Sequence, residues 1–238
     1  MRLISPLKPT LSRYWRIFVK QSSLSVYRAL EYEALPAIPY HGRLLDFGGG
    51  ETANYAKALK EWMGGGVYEA ANISSNLEPT YLIEPNGGLP CESGRFDTVV
   101  SFNTLEHVFH IEPTLKELAR VLAPGGRVVF AVPFLFRVHG CPDDFHRHTP
   151  SWWGKQLEQI GFSDICITPI VWDVLTTGYS VTEKAAPLDR IRRYLVPLFG
   201  ILYAMIKTTS AQERYPAPLG EKLANFAAGY VITARKSK

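Results

Sequence analysis

Two stretches of the chain carry residue types that can do chemistry. The first is "LLDFGGGETANY", Leu44 to Tyr55, a short apolar run that meets an acid and then turns on three glycines. Glycines at such a turn let a ligand come close to the backbone, and Gly48, Gly50 and Ala53 fit the loose GxGxx[GA] pattern of dinucleotide sites. Asp46 and Glu51, on either side of the glycines, sit badly with a pyrophosphate. A like-charge pair ~4 Å apart costs about 4 kcal/mol at an effective dielectric of 20. A ligand bearing an ammonium and a sulfonium is favoured by carboxylates, so the loop points to S-adenosylmethionine rather than NAD. The second stretch is "PFLFRVHGCPDDFHRHTP", Pro133 to Pro150, which sets His139, Asp143, Asp144, His146 and His148 within ten residues. An imidazole near its ordinary pKa can take a proton from an alcohol, and a neighbouring carboxylate can orient it. His139 and His146 are therefore the base candidates, with Asp143 or Asp144 orienting. In the competing reading an aspartate simply pairs with Arg147 and His148 packs at a helix entrance. A divalent metal on His139, Asp144 and His146 matches no dedicated ligand spacing, so no metal is expected.

The elements that must position these residues follow from periodicity. From Arg43 to about Ile170, short β-type runs alternate with helical ones, the pattern of a parallel sheet with crossover helices. "RLLDF" is a strand, followed by a helix over Glu51 to Met63 that Gly64-Gly65-Gly66 ends. "VYEAAN", "YLIE" and "FDTVVSF" are the next strands. In the helix that follows, Val108, Ile111, Leu115, Leu118 and Leu122 step by three and four. "APGG" then turns the chain into the strand "RVVFAVP". Thr149 and Pro150 give an N-cap and first-turn proline for a helix over Ser151 to Ile160, with Gly161 as its stop. "DICITPI" closes the alternation. On this reading His107 lies on a helix face, where a histidine is ordinarily structural. Asp97 begins a strand away from the carboxyl edge, Trp152 and Trp153 belong to packing, and no motif makes Cys141 a nucleophile.

The blocks "LLDFGGG", "RFDTVVSFNTLEHV" and "LKELARVLAPGGRVVFAVP", in this order and spacing, resemble the class I S-adenosylmethionine-dependent methyltransferases. The resemblance covers roughly residues 40–170 plus "GYVITARK". It implies a Rossmann-like α/β sheet, mostly parallel with an antiparallel last strand and flanked by helices. It also implies that Asp46, Phe47, Gly48, Gly49 and Gly50 border the methionine part of S-adenosylmethionine. Asn72, followed by Ile73, stands where the family carries the acid that accepts the ribose hydroxyls. Asn86 falls near its adenine-contacting acid, and Ser101, Phe102 and Asn103 near the adenine or the methyl group. The His-Gly-x-Pro-x-Asp segment is similar to those of methyltransferases encoded with bacterial surface-polysaccharide genes. This resemblance makes a sugar or glycoconjugate hydroxyl the leading acceptor. An NAD-dependent oxidoreductase and a non-catalytic methyltransferase-fold scaffold remain as rivals, the latter favoured by Asn72 and Asn86 in place of acids.

The ends of the chain add organisation. Residues 1–42 form a leading helical segment, 43–170 the cofactor-binding core, 171–225 a helical insertion or lid, and 226–238 the final strand of the core. A net charge of +4 over 238 residues is too small to argue for nucleic acid, although Arg2, Lys8, Arg13, Arg16 and Lys20 all precede the first acid, Glu31. Three scattered cysteines without a CxxC pair favour a reducing compartment, and no signal peptide is visible, so the expected location is cytoplasmic. The apolar run "LVPLFGILYAMI" would span roughly 18 Å as a helix, short of a ~30 Å hydrocarbon core. Trp15, Phe18 and Val19 fall on one side of a basic helix, as at an anionic lipid surface. A peripheral contact at the inner membrane surface is one expectation for this segment and for the apolar run. A lid over the pocket or a homodimer contact is the other.

Overall fold

The computed structural model describes residues 1–140, 143–185, 187–208 and 211–237. Cys141 lies outside the described residues. The chain opens with a two-residue strand, β1 (Arg2–Leu3), then α1 (Leu11–Tyr14), a π-type turn (Trp15–Val19) and α2 (Val26–Ala34). The core runs β2 (Arg43–Phe47), α3 (Ala56–Met63), β3 (Val67–Asn72), β4 (Tyr81–Leu82), β5 (Phe96–Phe102), α4 (Ile111–Val121), β6 (Leu122–Pro133), α5 (Pro150–Ile160) and β7 (Phe162–Ile170). Three helices follow, α6 (Val174–Thr182), α7 (Asp189–Lys207) and α8 (Ala217–Ala224), and β8 (Gly229–Lys236) ends the chain.

The eight strands form one sheet in the order β1-β7-β8-β6-β5-β2-β3-β4. All neighbours are parallel except β8, which inserts antiparallel between β6 and β7. This is the expected Rossmann-like sheet with its antiparallel last strand. The chain runs outward from β2 to β4 and then returns to β5 on the other side of β2. A crevice therefore opens at the carboxyl ends of β2 and β5, where open α/β sheets bind ligands. Alternation along each strand sends side chains to two cores. Leu45, Val99, Val128, Phe130 and Ile167 pack under α4 and α5 through Leu115, Leu118, Trp153 and Leu157. Leu44, Val100, Val129 and Val231 meet Ile17, Phe18, Val26, Tyr27 and Leu30 on the other face.

The second core corrects two expectations for the N-terminus. Residues 1–42 are not wholly helical, because β1 extends the sheet, pairing Arg2 with Cys166 and Leu3 with Ile167. Nor do Trp15, Phe18 and Val19 share an outward face. Phe18 is fully buried, edge-on to Trp172 at 5.0 Å, while Trp15 is exposed. Without this segment one face of the sheet would lie open, so its apolar residues are drawn inward. Arg13 and Arg16 are likewise committed, both pairing with Glu33.

The first crossover helix begins at Ala56 rather than Glu51. Thr52 N–H and Oγ1 donate instead to the carbonyls of Leu77 (3.3 Å) and Asn76 (3.2 Å), which holds residues 51–55 as turns. Val108 and Leu122 fall outside α4, and Leu122 opens β6. In the insertion α7 buries Arg193, Pro197, Gly200, Ile201 and Ala204 along one side. Its other side exposes Ile191, Leu195, Leu198, Phe199, Leu202 and Met205. No helix among the described residues is long and apolar enough to cross a membrane.

Candidate active site

The glycine turn closes the end of β2 at the crevice. Asp46 lies beneath the turn, fully buried, and accepts hydrogen bonds from the hydroxyls of Tyr55 (3.1 Å) and Tyr68 (2.8 Å). Burial raises its pKa to about 7 against the opposing pull of the two hydroxyls. Glu51 is exposed and pairs with Lys60. Contrary to expectation, these two acids do not present free charge to a ligand: each already has partners from the chain, and neither carboxylate stands free over the turn. The glycines are required by close packing of the protein on itself. A Cβ at Gly48, which has φ +92°, would overlap Thr104, and one at Gly50 would overlap the Leu77 carbonyl.

Asn72 ends β3, the expected position, and its side chain is turned onto the glycine loop. Its Nδ2 donates to the carbonyls of Gly48 (2.7 Å) and Gly49 (3.0 Å), and its Oδ1 accepts from Ser74 N (2.9 Å). The Nδ2 end braces the turn, while Oδ1, already bonded to Ser74 N, keeps one lone pair for a further donor. A carboxylate could not replace it, having no proton to donate. Ser101 Oγ bonds the Phe47 carbonyl at 2.9 Å, and Phe102 packs edge-on to Tyr55; both are buried in the sheet. Asn103 donates to both carboxylate oxygens of the buried Glu31, at 3.0 and 2.9 Å. Ile73 and Asn86 are exposed. The turn lies at the switch point of the sheet, and Gly48 takes a φ of +92° there, a conformation that glycine adopts freely.

The histidine segment lies over this edge. Phe145 N and His146 N both donate to the Glu106 carbonyl, at 2.8 and 3.3 Å. These bonds tie the segment to the 3-10 turn Leu105–His107 that follows β5. Asp144 forms a two-pronged pair with Arg147, at 2.5 and 2.6 Å, which holds its pKa down at about 2. Its Oδ2 also accepts from His139 N (2.9 Å) and lies 3.3 Å from His139 Nδ1. His139 and Asp144 are therefore together, as expected. His146 and Asp143 are not. His146 Nε2 is engaged by the Phe109 carbonyl at 3.1 Å, and Asp143 reaches the site through its backbone carbonyl, 2.5 Å from His107 Nδ1. His148 stacks on Trp152 at 3.5 Å, and burial depresses its pKa to about 4.

The residue that the sequence argument missed is Glu106. Its side chain is 1% exposed, and neither carboxylate oxygen has a hydrogen-bond partner among the described residues. Burial raises its pKa to about 8. His107 Nε2 stands 3.6 Å and His139 Nε2 3.7 Å from its Oε1. The group that assembles is thus Glu106, His107 and His139, in place of His139, Asp144 and His146. His107 belongs to it because it sits on the 3-10 turn and not on the face of α4.

Comparisons with known proteins agree with this architecture. No curated protein matches the chain. Among solved structures, an S-adenosylmethionine-dependent methyltransferase of Thermotoga maritima superposes with a TM-score of 0.55 at 16% identity, covering 95% of this chain and 100% of its own. Another, from Mesorhizobium loti, gives 0.51 at 15%, covering 90% and 99%. A chain from the complex between the Haloferax volcanii Trm112 methyltransferase activator and a methyltransferase gives 0.53 at 16%, covering 95% of each. At these identities the likeness is one of fold. The model of the methyltransferase domain matches residues 21–168, from just before α2 into β7. That span is more than half of the 238 residues and contains the glycine turn, the Glu106 turn and His139; the chain belongs to the methyltransferase domain family.

Proposed function

We propose that this protein transfers a methyl group from S-adenosylmethionine to a hydroxyl of a sugar or glycoconjugate. The observation that carries this reading is the Glu106–His107–His139 cluster, set two residues beyond the Thr104 that packs on Gly48. The turn Gly48 to Gly50 would hold the cofactor, with Ile73 and Asn86 on its open side. When bound, the cofactor supplies an electrophilic methyl group. The chain has to place the acceptor oxygen in line and hold its proton. His139 suits the second task. Its Nδ1 lies 3.3 Å from both Asp144 Oδ2 and the Arg137 carbonyl, which leaves Nε2 directed inward as the acceptor. Burial lowers the pKa of His139, so the ring is neutral near pH 7. Asp144 orients it, itself fixed by Arg147.

The acceptor class rests on the resemblance of the His139 segment to those of polysaccharide-associated methyltransferases. The exposed apolar side of α7, with Arg190 at one end and Lys207 at the other, supports an acceptor presented at an anionic membrane surface. One observation favours a second reading, a non-catalytic scaffold: an amide stands at the position of the ribose-binding acid, and its Nδ2 is committed to the glycine turn.

The experiment is incubation with methyl-labelled S-adenosylmethionine and a panel of glycans and lipid-linked saccharides, following S-adenosylhomocysteine and labelled product. Turnover is expected, and His139→Ala should slow it by about 10²- to 10⁴-fold while leaving cofactor affinity unchanged. Cofactor binding without turnover across the panel would support the scaffold reading. Absence of cofactor binding would overturn both.

A further inference from the structure

We propose that Glu106, His107 and His139 bind one divalent transition-metal ion, and that this ion holds the acceptor oxygen at the methyl-transfer site. One ligand atom from each residue lies within 4.8 Å of the other two. The two measured separations from Glu106 Oε1, 3.6 and 3.7 Å, are close to the roughly 3 to 3.5 Å between ligands that share an ion at bond lengths near 2.1 Å. Closing the Glu106 pairs needs a contraction of a few tenths of an ångström, and side-chain rotation of the half-exposed His139 must bring the third pair, within 4.8 Å, to the same spacing.

Three further observations point to an ion. The Glu106 carboxyl is buried with neither oxygen hydrogen-bonded among the described residues, and such a group ionises only at high cost unless a cation meets it. Both histidines present Nε2 to that carboxylate while Nδ1 faces oxygen acceptors. His107 Nδ1 lies 2.5 Å from the Asp143 carbonyl, and His139 Nδ1 lies 3.3 Å from Asp144 Oδ2 and from the Arg137 carbonyl. Those oxygens outweigh the longer approach of Arg147 Nη2, 3.5 Å from His139 Nδ1. A proton on Nδ1 leaves the Nε2 lone pair free, which is the tautomer that metal-binding histidines adopt, fixed from behind by a carboxylate or carbonyl. Exposure is also graded in the right sense: the Glu106 side chain is 1% exposed, that of His107 13% and that of His139 34%. The cage is closed at the carboxylate and open at His139, leaving coordination positions on the side of the crevice.

Two imidazoles and one carboxylate form a set suited to Zn²⁺, Fe²⁺, Co²⁺ or Mn²⁺, with too few oxygens for Ca²⁺. Three protein ligands leave room for an acceptor hydroxyl, which coordination makes more acidic, its proton passing to solvent. In this state His139 acts as a ligand, and activation of the hydroxyl passes from proton abstraction to coordination. The binding of the ion stands on these side chains alone, whereas its use on an acceptor rests on the methyl-transfer reading.

The test is titration of the untagged, chelator-treated, full-length chain with Co²⁺ alone, without cofactor or acceptor. One-to-one saturable binding with visible d–d absorption is expected, and Zn²⁺ should displace it. His107→Ala and His139→Ala should each weaken binding by at least 100-fold, and Glu106→Gln, which keeps the shape of the side chain, should abolish it. Asp144→Asn acts from behind His139 and should weaken binding by about 10- to 100-fold. Circular dichroism of each variant separates loss of the site from loss of the fold. Failure of the wild-type chain to saturate, or Co²⁺ binding that folded His107→Gln and His139→Gln variants retain, would overturn the site. Methyl transfer is not measured, so this result and the outcome of the turnover assay are independent.

Discussion

Replacing Asp46 by Asn should stabilise the protein at neutral pH, by an amount that grows as pH rises. The Asp46 carboxyl is fully buried at the end of β2, with the hydroxyls of Tyr55 and Tyr68 as its hydrogen-bond partners. Burial raises its pKa from 3.8 to about 7 in the folded chain. The sign follows directly. Between these values the folded state keeps a proton that the unfolded state has lost, so this group's contribution is complete below pH 3.8 and is lost as pH rises through 7. The ionised carboxylate then costs about 4 kcal/mol relative to the unfolded chain. An asparagine has the same outline and no charge. Its oxygen can accept from Tyr55, and its amide can donate to Tyr68, whose hydroxyl lies 3.2 Å from the Gly50 carbonyl and can turn there. No polar group is orphaned. Urea unfolding of both proteins across pH 4 to 8, without cofactor, measures the difference. The variant should match the wild type at pH 4 and exceed it by about 4 kcal/mol at pH 8, most of the gain arising above pH 5. A difference that stays flat within 1 kcal/mol over this range would refute the reasoning, because the buried carboxyl would then titrate as it does in the unfolded chain.

Asn72→Asp separates the brace from the ribose grip. It replaces two donated bonds with a carboxylate facing two carbonyl oxygens and should destabilise the fold by about 2 to 4 kcal/mol, with weaker cofactor binding by calorimetry. Tighter binding would show that this position serves the ribose after all. For α7, the wild type should co-sediment with vesicles containing anionic lipid, less so at high salt, and Phe199→Glu with Leu202→Glu should abolish this. A wild type that ignores the vesicles but self-associates through the same two residues would assign that face to a second copy.

The sheet was legible because each strand carries its own signal. "RLLDF", "FDTVVSF", "RVVFAVP" and "GYVITARK" are β-rich and bounded by turns, and each is a strand in the structure. Boundaries that depend on another segment were less legible. Ala56 opens its helix late because Asn76 and Leu77, more than twenty positions on, capture Thr52. Strand β1 is two residues long and exists only through pairing with β7, so no local pattern could announce it. The site followed the same division. Family blocks located the glycine turn and the histidine segment, while the partners of Asp46, Asn72 and Asn103 depend on contacts that local spacing does not encode.

Glu106 illustrates the point physically. In the sequence it is an acid in "NTLEHV", next to a histidine, and such pairs usually lie on solvated surfaces. It is buried where His139 and residues 143–147 pack on it, held by two backbone bonds to its own carbonyl and by the Arg147–Asp144 pair. A folded chain does not ordinarily keep a carboxylate there without a partner, since the penalty is a large fraction of a typical net stability. Arg147 offsets it only in part, since burial still raises the pKa to about 8, so a proton or a further cation must supply the rest. A proton can join Glu106 to only one Nε2 at a time. An ion engages Glu106 and both Nε2 atoms together and explains why His107 and His139, from elements 32 positions apart, are both anchored through Nδ1. The arrangement of the second nitrogens therefore carries more information than the presence of the histidines.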